Sequence, residues 1–310
     1  MSLNIGLVGC GHMGKIHLEK LQALKNVKLI GIVDINHAVV KHLSKLYAVP
    51  YFTNYYDLVG LTDAVIIATP TLHHFQIAKT FLEHGSHVFI EKPITFDTQE
   101  ARRLILVAKK KNLILQVGHL ERYNPAFHRA RSYIKEPLFI DALRISPFTG
   151  RSTDIDVILD LMIHDIDLVL SLVQSTITDI RAHGATFMTD KLDIAHARIE
   201  FGNGSIAHLQ ASRVSPERKR ILTVFERDRF CIINLLSGKL FLYTKHKESQ
   251  IKSKEYESET VDSVKEELTE FIRSIKNGKT PRVIGEDALK ALSVANRIKQ
   301  YIEKHTSPSH

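Results

Sequence analysis

Ten residues near the start of the chain constrain its fold more than any other stretch. Residues 5–14 read IGLVGCGHMG, an apolar run followed by glycines at positions 9, 11 and 14. The stretch LNIGLV upstream is strand-like, and downstream apolar residues recur at helical spacing. A glycine-rich turn between a strand and a helix exposes backbone N–H groups where an anion is favoured. The stretch predicts a phosphate-binding turn, and a glycine turn without a ligand is the alternative.

Each glycine of this turn has its own steric reason. Gly9 permits the tight turn, Gly11 the close approach of phosphates, and Gly14 the packing of helix on strand. A second apolar strand, VKLIGIV, ends in Asp34, where an acid that binds a ribose is expected. The alternative for Asp34 is an N-cap of the next helix. The joint spacing predicts a dinucleotide-binding half, and an acid that repels a 2′-phosphate predicts NAD as the cofactor.

Strand and helix patterns alternate over the first 120 residues. This rhythm predicts a doubly wound parallel sheet. Asp97, with Glu100 three residues later, predicts a capping box at the start of the last helix. The strands are expected near 3–8, 27–33, 64–68, 87–90 and 113–117, and the helices near 13–24, 37–47, 71–84 and 98–110.

The pattern changes after residue 120. HARIEF and SIAHLQASR, joined by Asn203-Gly204, predict an antiparallel hairpin. The polar stretch 245–260 predicts a loop, and the final TSPSH a frayed tail. The remaining expected elements are helices near 156–173, 261–276 and 286–303 and strands near 219–226, 229–236 and 239–243. We therefore predict an α/β protein of two domains, 1–120 and 121–310, the second with a mostly antiparallel open sheet.

The chain is basic, with a formal net charge of +8 and a pI near 9.3. The charge is scattered: KKK at 109–111 ends a predicted helix, and ERKR at 217–220 falls in a predicted strand connection. No basic stripe interleaved with aromatic residues is present, so nucleic acid is not an expected partner. A solvated basic surface that attracts anionic substrates is the preferred interpretation.

Cysteine usage and hydropathy indicate the compartment. Cys10 and Cys231 are too few for a disulfide scaffold, which favours a reducing cytoplasm. No run approaches the roughly eighteen apolar residues that a membrane span needs, and the N-terminus lacks a signal-peptide pattern. We expect a cytoplasmic protein that is neither exported nor embedded in a membrane.

Two further motifs carry chemically active side chains. Lys92, in EKP at 91–93, follows a predicted parallel strand, where it can donate to a sugar hydroxyl; a solvated loop lysine is the alternative. Asp160 and His164, in DLMIHDIDL, lie four apart on one face of a predicted helix. The acid can fix the tautomer of the histidine and keep its pKa in a working range, whereas a buried core histidine is the alternative. Asp165 and Asp167 are expected to cap, pair or pack rather than catalyse.

These motifs, with VGCGHMGKIH, ATPTLHH at 68–74 and VGHLERYNPAF at 117–127, resemble the signatures of the glucose-fructose oxidoreductase and inositol dehydrogenase (Gfo/Idh/MocA) family. The resemblance implies an N-terminal Rossmann domain and a C-terminal α/β domain that binds substrate and whose open sheet often forms the oligomer interface. It implies Lys92, Asp160 and His164 as catalytic residues, with Met162 where many relatives have glycine. The implied cofactor-binding residues are Gly9, Gly11, His12, Met13, Gly14, Asp34, Thr69, Pro70, His73, Glu91 and Lys92.

The ATPTLHH turn raises a separate question. The resemblance places it against the cofactor and gives His73 or His74 a nucleotide-contacting or helix-starting role. A metal site is not expected, because no carboxylate or third histidine follows at ligand spacing.

The resemblance implies NAD-dependent oxidation of a sugar hydroxyl to a ketone. Residues 146–173 are similar to the subgroup that oxidises UDP-N-acetylglucosamine at C3, whose keto product an aminotransferase converts to a 3-amino sugar of the lipid A type. Arg144, Arg151 and Arg213 are candidates for binding the diphosphate and uracil, with ion pairs as the alternative. An inositol or other sugar dehydrogenase and a non-catalytic NAD-binding sensor or regulator are the alternative functions. A homodimer or homotetramer is expected.

Overall fold

The structure is a computed structural model that describes residues 2–150, 153–246, 250–258 and 261–305. The chain divides into two units: Met1–Leu120 with Asp262–Leu289, and Glu121–Val261 with Lys290–His310. Residues 262–289, which the sequence analysis assigns to the second domain, group with the first unit. The assignment of 1–120 as the cofactor-binding domain and of 121–310 as the substrate-binding domain stays a prediction.

The described strands and helices follow in chain order. The strands are β1 Leu3–Val8, β2 Val27–Val33, β3 Tyr51–Phe52, β4 Ala64–Ile67, β5 His87–Glu91, β6 Leu115–Gly118, β7 Phe139–Ile145, β8 Ile177–Ala185, β9 Ile194–Phe201, β10 Ile206–Ser212, β11 Lys219–Phe225, β12 Arg229–Asn234, β13 Lys239–His246 and β14 Gln250–Glu257. The helices are α1 His12–Gln22, α2 His37–Tyr47, α3 His74–Glu83, α4 Thr98–Lys110, α5 Pro125–Arg131, α6 Ile163–Leu172, α7 Ser263–Asn277 and α8 Gly285–His305.

The first unit contains a parallel sheet in the order β3-β2-β1-β4-β5-β6. This order is typical of doubly wound dinucleotide-binding folds, and it confirms the predicted fold class. Apart from β3 at the sheet edge, the strands are buried at their carboxyl ends, as in Ala64–Ile67, because parallel strands are covered on both faces. The two-residue β3 was not predicted, since it is too short to show a hydrophobic period.

Local caps define where the helices of this unit begin. The Asp97 side chain accepts a hydrogen bond from the Gln99 N–H at 2.9 Å, which confirms Asp97 as the N-cap of α4. Asp262 caps α7 in the same way, and α7 packs on α1. Leu268 and Phe271 of α7 join the core formed by β1, β2, β4 and α1. This packing explains why a distant segment belongs to the first unit.

The second unit contains a sheet in the order β14-β13-β12-β11-β7-β10-β9-β8. Its neighbouring strands are antiparallel, except for the parallel pair β7 and β10. The predicted hairpin is confirmed as β9 and β10, with Gly204 at a φ of +85° in the turn. α6 packs on β7 and β10, so one face of the sheet is covered by the helix.

The predicted loop at 245–260 is wrong where the structure describes it. Gln250–Glu257 form β14, paired with β13 along its whole length. Nearly all its side chains are exposed, so no alternation of apolar and polar residues marks it as a strand. A polar edge strand of this kind resists pairing with other chains. The TSPSH tail lies outside the described residues.

Among the described residues, no helix combines the length and the apolar character that crossing a lipid bilayer requires.

Candidate active site

Four segments of the first unit meet the carboxyl edge of the parallel sheet. Gly9 follows β1, Asp34 follows β2, Thr69 comes shortly after β4 and Lys92 follows β5. The strand order reverses direction between β1 and β4, and ligands bind in such sheets outside the carboxyl ends at this switch point. The sequence-predicted cofactor residues therefore share the edge that a dinucleotide uses.

The three glycines of the turn face different surroundings. Gly9 has a φ of +96°, and a Cβ there would lie 2.5 Å from the Ala68 carbonyl oxygen. A Cβ on Gly14 would lie 1.9 Å from the Gly9 carbonyl oxygen. A Cβ on Gly11 would meet no described atom within 4 Å. Glycine is thus required at positions 9 and 14 because a side chain there would clash with the backbone. At position 11 the absence of a side chain leaves space beside the N-terminus of α1, which fits a pyrophosphate.

The Asp34 carboxylate joins the glycine turn to the end of β2. One oxygen accepts from the Cys10 N–H at 2.7 Å and the other from the Asn36 N–H at 2.8 Å. The N-cap of α2 is Asn36, whose side chain accepts from the Val39 N–H, so Asp34 does not fill the capping role. A carboxylate has about four acceptor sites, which leaves capacity for ribose hydroxyls. Asp34 therefore fits NAD.

His74 links the loop after β4 to the EKP loop. Its Nε2 lies 2.8 Å from the Thr69 carbonyl oxygen, and its Nδ1 lies 2.9 Å from that of Pro93. Burial lowers the pKa of His74. It is the first residue of α3, so the helix-starting role falls to His74, while His73 is exposed in the preceding turn. Contacts of His73 with the cofactor stay a prediction.

The Thr69 side chain places a polar atom at this edge of the sheet. The Thr69 hydroxyl is buried and has no hydrogen-bond partner among the described residues. Buried polar groups are normally satisfied by protein, water or ligand. An open hydroxyl beside the switch point is a second observation that fits the cofactor. Cofactor contacts of Pro70, His12 and Met13 stay predictions.

Glu91 is buried against His17, a residue that the sequence analysis did not select. His17 Nε2 lies 2.6 Å from a Glu91 carboxylate oxygen. Burial raises the pKa of Glu91, but the contact with His17 and the charge of Lys92 outweigh it and lower the pKa overall. The signal was the position of His17, three residues after Gly14 in GKIH. The predicted Glu91–cofactor contact stays a prediction, and Lys92 follows, half-buried, with a cis peptide bond to Pro93.

In the second unit, Asp160 and His164 occupy a helical segment whose start is firmly capped. Asp156 accepts from the N–H groups of Ile158 and Leu159 at 3.1 and 3.0 Å, and its other oxygen lies 3.2 Å from the Lys299 ammonium. The sequence predicts one helix, but residues 158–162 form a π turn that continues into α6. Such widened turns are frequent at functional sites.

Within this segment, exposure differs between neighbours. The Asp160 and His164 side chains are half-buried, whereas Met162 between them is fully buried. The two candidates are thus accessible to a ligand of the second unit while the segment itself is anchored in the core. Their catalytic roles stay predictions.

A buried network of ion pairs holds α6 in place. Arg144 makes two bonds of 2.8 Å to the carboxylate of Asp165, and its third nitrogen lies 2.8 Å from Glu121. Arg122 makes a second two-point pair with Asp167, at 2.7 and 3.1 Å. Two-point pairs fix orientation as well as distance. The prediction that Asp165 and Asp167 pair with other residues is confirmed.

The arginines predicted to bind substrate have partners in the protein. Arg144 is 2% exposed and paired as described, and Arg213 is 4% exposed and bonded to Asp193 and to the Ile155 carbonyl oxygen. These contacts match the ion-pair alternative. A substrate contact by either would require its guanidinium to leave buried partners, which is costly. Arg151 lies outside the described residues.

Metal-ligating side chains do not gather at this site or elsewhere in the described ranges. Over residues 2–150, 153–246, 250–258 and 261–305, no group of three or more His, Cys, Asp or Glu residues is arranged to hold a metal ion.

Comparison with known proteins agrees with the site geometry. Residues 3–119 match the oxidoreductase family with NAD-binding Rossmann fold of the Gfo/Idh/MocA group, and residues 144–233 match the Gfo/Idh/MocA C-terminal domain. The chain is 39% identical over 242 residues to a UDP-N-acetylglucosamine 3-dehydrogenase of Acidithiobacillus ferrooxidans, covering 78% of this chain and 77% of that one. The chain belongs to the Gfo/Idh/MocA oxidoreductase family. This confirms the family resemblance described from the sequence and the prediction of NAD as the cofactor.

A solved structure of the same enzyme and one further relative show the range of similarity. A solved structure of the UDP-N-acetylglucosamine 3-dehydrogenase from Acidithiobacillus ferrooxidans matches with a TM-score of 0.93 and 33% identity, covering 98% of this chain and 99% of that one. A myo-inositol 2-dehydrogenase of Thermotoga maritima is 24% identical over 326 residues, covering 98% of each chain. This Gfo/Idh/MocA oxidoreductase is thus more distant from the inositol dehydrogenase than from the enzyme that acts on a nucleotide sugar.

Proposed function

We propose that the protein oxidises the C3 hydroxyl of UDP-N-acetylglucosamine to a ketone with NAD as cofactor. The 39% identity to a UDP-N-acetylglucosamine 3-dehydrogenase, against 24% to a myo-inositol 2-dehydrogenase, carries this proposal. The product would be a 3-keto nucleotide sugar, which an aminotransferase converts to the 3-amino sugar of a lipid A type pathway.

The proposed catalytic residues are Lys92, Asp160 and His164. NAD, when bound at the glycine turn and Asp34, supplies the nicotinamide that accepts the hydride. The imidazole of His164 accepts the hydroxyl proton, and Asp160 orients that imidazole. The Lys92 ammonium donates a hydrogen bond to the reacting oxygen. The partial exposure of all three side chains supports these roles.

The test of this function is a coupled assay. Purified protein is incubated with NAD and UDP-N-acetylglucosamine, together with the aminotransferase and glutamate to remove the keto product. We expect NADH and a product whose mass corresponds to replacement of a sugar hydroxyl by an amine. Myo-inositol and unconjugated glucose serve as parallel substrates. NADH from inositol or glucose, with none from the nucleotide sugar under coupled conditions, would show that the substrate is wrong and the family reaction right.

The non-catalytic alternative has its own outcome in the same experiment. A sensor or regulator binds NADH, seen as a change in its fluorescence, but forms no NADH with any sugar. The presence of Lys92, Asp160 and His164 together favours the enzyme, because a sensor has no use for this set.

We also propose that the protein is a cytoplasmic homodimer or homotetramer, with residues 121–310 binding substrate and forming the subunit contacts. The sheet face opposite α6 carries exposed side chains from β7, β8 and β9, including Asp141, His183 and His196, which supports this face as the contact. Light scattering coupled to size-exclusion chromatography measures the oligomer; a monomer at micromolar concentration would contradict the assembly.

A further inference from the structure

Two arginines oppose each other in the sheet of the second unit. Arg220 of β11 is the register partner of Arg144 of β7. Like charges directly opposite each other in a sheet are destabilising. One carboxylate oxygen of Glu121 serves both, at 2.8 Å from Arg144 Nη1 and 3.2 Å from Arg220 Nη1. A single buried acid thus bridges two guanidinium groups.

The two arginines differ in how many donors are used. Arg144 bonds through Nε, Nη1 and Nη2 to Asp165 and Glu121 and is buried. Arg220 bonds through Nη1 alone; its Nε and Nη2 have no hydrogen-bond partner among the described residues, and its side chain is 37% exposed. Arg220 is therefore a half-buried cation with one side of its fork open to a ligand.

Arg218 adds positive charge beside this open fork. It is exposed and makes no hydrogen bond or ion pair with any residue the structure describes. Burial, then the charges of Arg144 and Arg218, lower the pKa of Arg220. The cluster contains three arginines and two carboxylates, so one positive charge is in excess; its members are Arg144, Arg218, Arg220, Glu121 and Asp165. An anion would relieve the repulsion in this cluster.

The cluster is connected to the helix that carries His164. Asp165 is the next residue, and it is held by Arg144, which shares Glu121 with Arg220. These contacts, each of 2.8 to 3.2 Å, bring the open guanidinium to the neighbourhood of α6 within one unit. An anion bound there would lie on the network of contacts that holds α6, the helix that carries His164.

We propose that Arg220, assisted by Arg218, binds the diphosphate of the nucleotide-sugar substrate. The inference rests on the proposed function and assigns to Arg220 the role that the sequence analysis gave to Arg144, Arg151 and Arg213. Arginine suits this ligand because its planar fork binds two phosphate oxygens at once. The two-point pairing with Asp165 occupies Arg144, so Arg220 is the one of the two arginines that has donors to offer.

Binding of UDP and of inorganic pyrophosphate tests the site directly. Calorimetric titrations of the whole protein, saturated with NADH, compare wild type with Arg220→Gln. We expect UDP affinity to fall at least about tenfold, the effect of losing one charge-assisted hydrogen bond. Arg227→Gln is the matched control, because Arg227 is exposed just beyond the opposite end of β11 and carries the same charge. Equal UDP affinity in the Arg220→Gln and Arg227→Gln proteins would overturn the proposal.

Steady-state kinetics separate binding from a structural role. Arg220→Gln should raise the KM for UDP-N-acetylglucosamine by a similar factor while kcat and the KM for NAD change little, and Arg220→Lys should recover part of the loss. A lower kcat with unchanged KM, together with a lower Tm, would indicate a structural role and reject the site. If Arg220→Gln does not fold, Arg218→Gln, at an exposed position, tests the proposal instead. This variant should bind UDP more weakly, and its UDP affinity should depend less on salt concentration. UDP binding equal to that of wild type would reject the proposal.

The two proposals fail in different ways. Wild-type protein that binds UDP through Arg220 but does not oxidise UDP-N-acetylglucosamine supports the anion site and rejects the proposed function. Oxidation of UDP-N-acetylglucosamine that is indifferent to Arg220→Gln and Arg218→Gln supports the function and rejects the anion site.

Discussion

Within the glycine turn, Gly11 and Gly14 lack side chains for opposite reasons. Gly14→Ala would bring a Cβ to 1.9 Å from the Gly9 carbonyl oxygen, so we expect a loss of about 1–3 kcal/mol or more of stability and a lower Tm. Gly11→Ala meets no described atom within 4 Å and should keep the wild-type Tm while weakening NADH binding. Thermal denaturation without cofactor and NADH fluorescence titration measure the two effects.

Each of these two variants is the control for the other. A Gly11→Ala protein that binds NADH as wild type would show that the open space beside α1 is not where the pyrophosphate lies. A Gly14→Ala protein with an unchanged Tm would show that the turn adapts to the added methyl group.

Cofactor choice depends on Asp34 and its neighbour. The Asp34 carboxylate repels a 2′-phosphate, and Ile35, 90% exposed, supplies no positive charge to offset it. Replacing Asp34 by Ser and Ile35 by Arg should shift the ratio of kcat/KM values from NAD toward NADP. Ile35→Arg alone is the control for the added charge. Comparable kcat/KM values for NAD and NADP in the unmodified protein would contradict the role of Asp34.

At the scale of elements, the sequence predicted those with a strong local signal. The alternating strands and helices of the first 120 residues, the Asp97 cap and the β9–β10 hairpin are all present, because apolar periodicity and turn chemistry are local properties. β14 was missed because its side chains are exposed on both faces. The π turn at 158–162 was missed because its side-chain pattern resembles that of an α-helix.

The sequence was less informative about charged side chains. Arginine suits both phosphate and carboxylate, so sequence alone does not separate Arg144, buried against Asp165, from Arg220, which keeps open donors. Likewise, nothing local pairs His17 with Glu91, which lies on another element. Partners distant in sequence decide which polar residues are structural and which are available.

The helical segment of Asp160 and His164 gives the clearest mechanistic prediction. His164→Ala should reduce kcat by about 10²- to 10⁴-fold, the usual contribution of a general base. NADH affinity should be nearly unchanged, because His164 belongs to the second unit and the glycine turn to the first. Stopped-flow or steady-state NADH formation measures kcat, and fluorescence titration measures affinity. Wild-type turnover in this variant would make Lys92 the preferred proton acceptor.

At the scale of the whole molecule, several buried carboxylates make folding dependent on pH. Burial raises the pKa of Asp193, but hydrogen bonds from the N–H groups of Thr189, Phe187 and Met188 and from Arg213 outweigh it and hold the pKa well below its usual range. The pKa of Glu91 is lowered by its contact with His17 in spite of burial. A carboxylate whose pKa is lower in the folded state than in the unfolded state stabilises the protein at any pH above its unfolded-state pKa. This contribution is lost as the pH falls through the folded-state pKa.

Asp193→Asn isolates one of these contributions. Asparagine has the same shape but no charge, so at pH 7 it should lower stability by about 1–3 kcal/mol, because the donors that surround residue 193 lose a charged acceptor. Asp190→Asn is the matched control, since the Asp190 side chain is 82% exposed in the same loop and should change Tm little. As the pH falls below the unfolded pKa of about 3.9, the carboxylate of residue 193 takes up a proton in the unfolded chain while it stays charged in the folded protein. Wild type therefore loses stability that Asp193→Asn never had, so the Tm gap between the two proteins should narrow. Thermal denaturation at pH values from neutral to acidic measures this gap; a constant gap, or one equal to that of Asp190→Asn, would contradict the role of the Asp193 carboxylate.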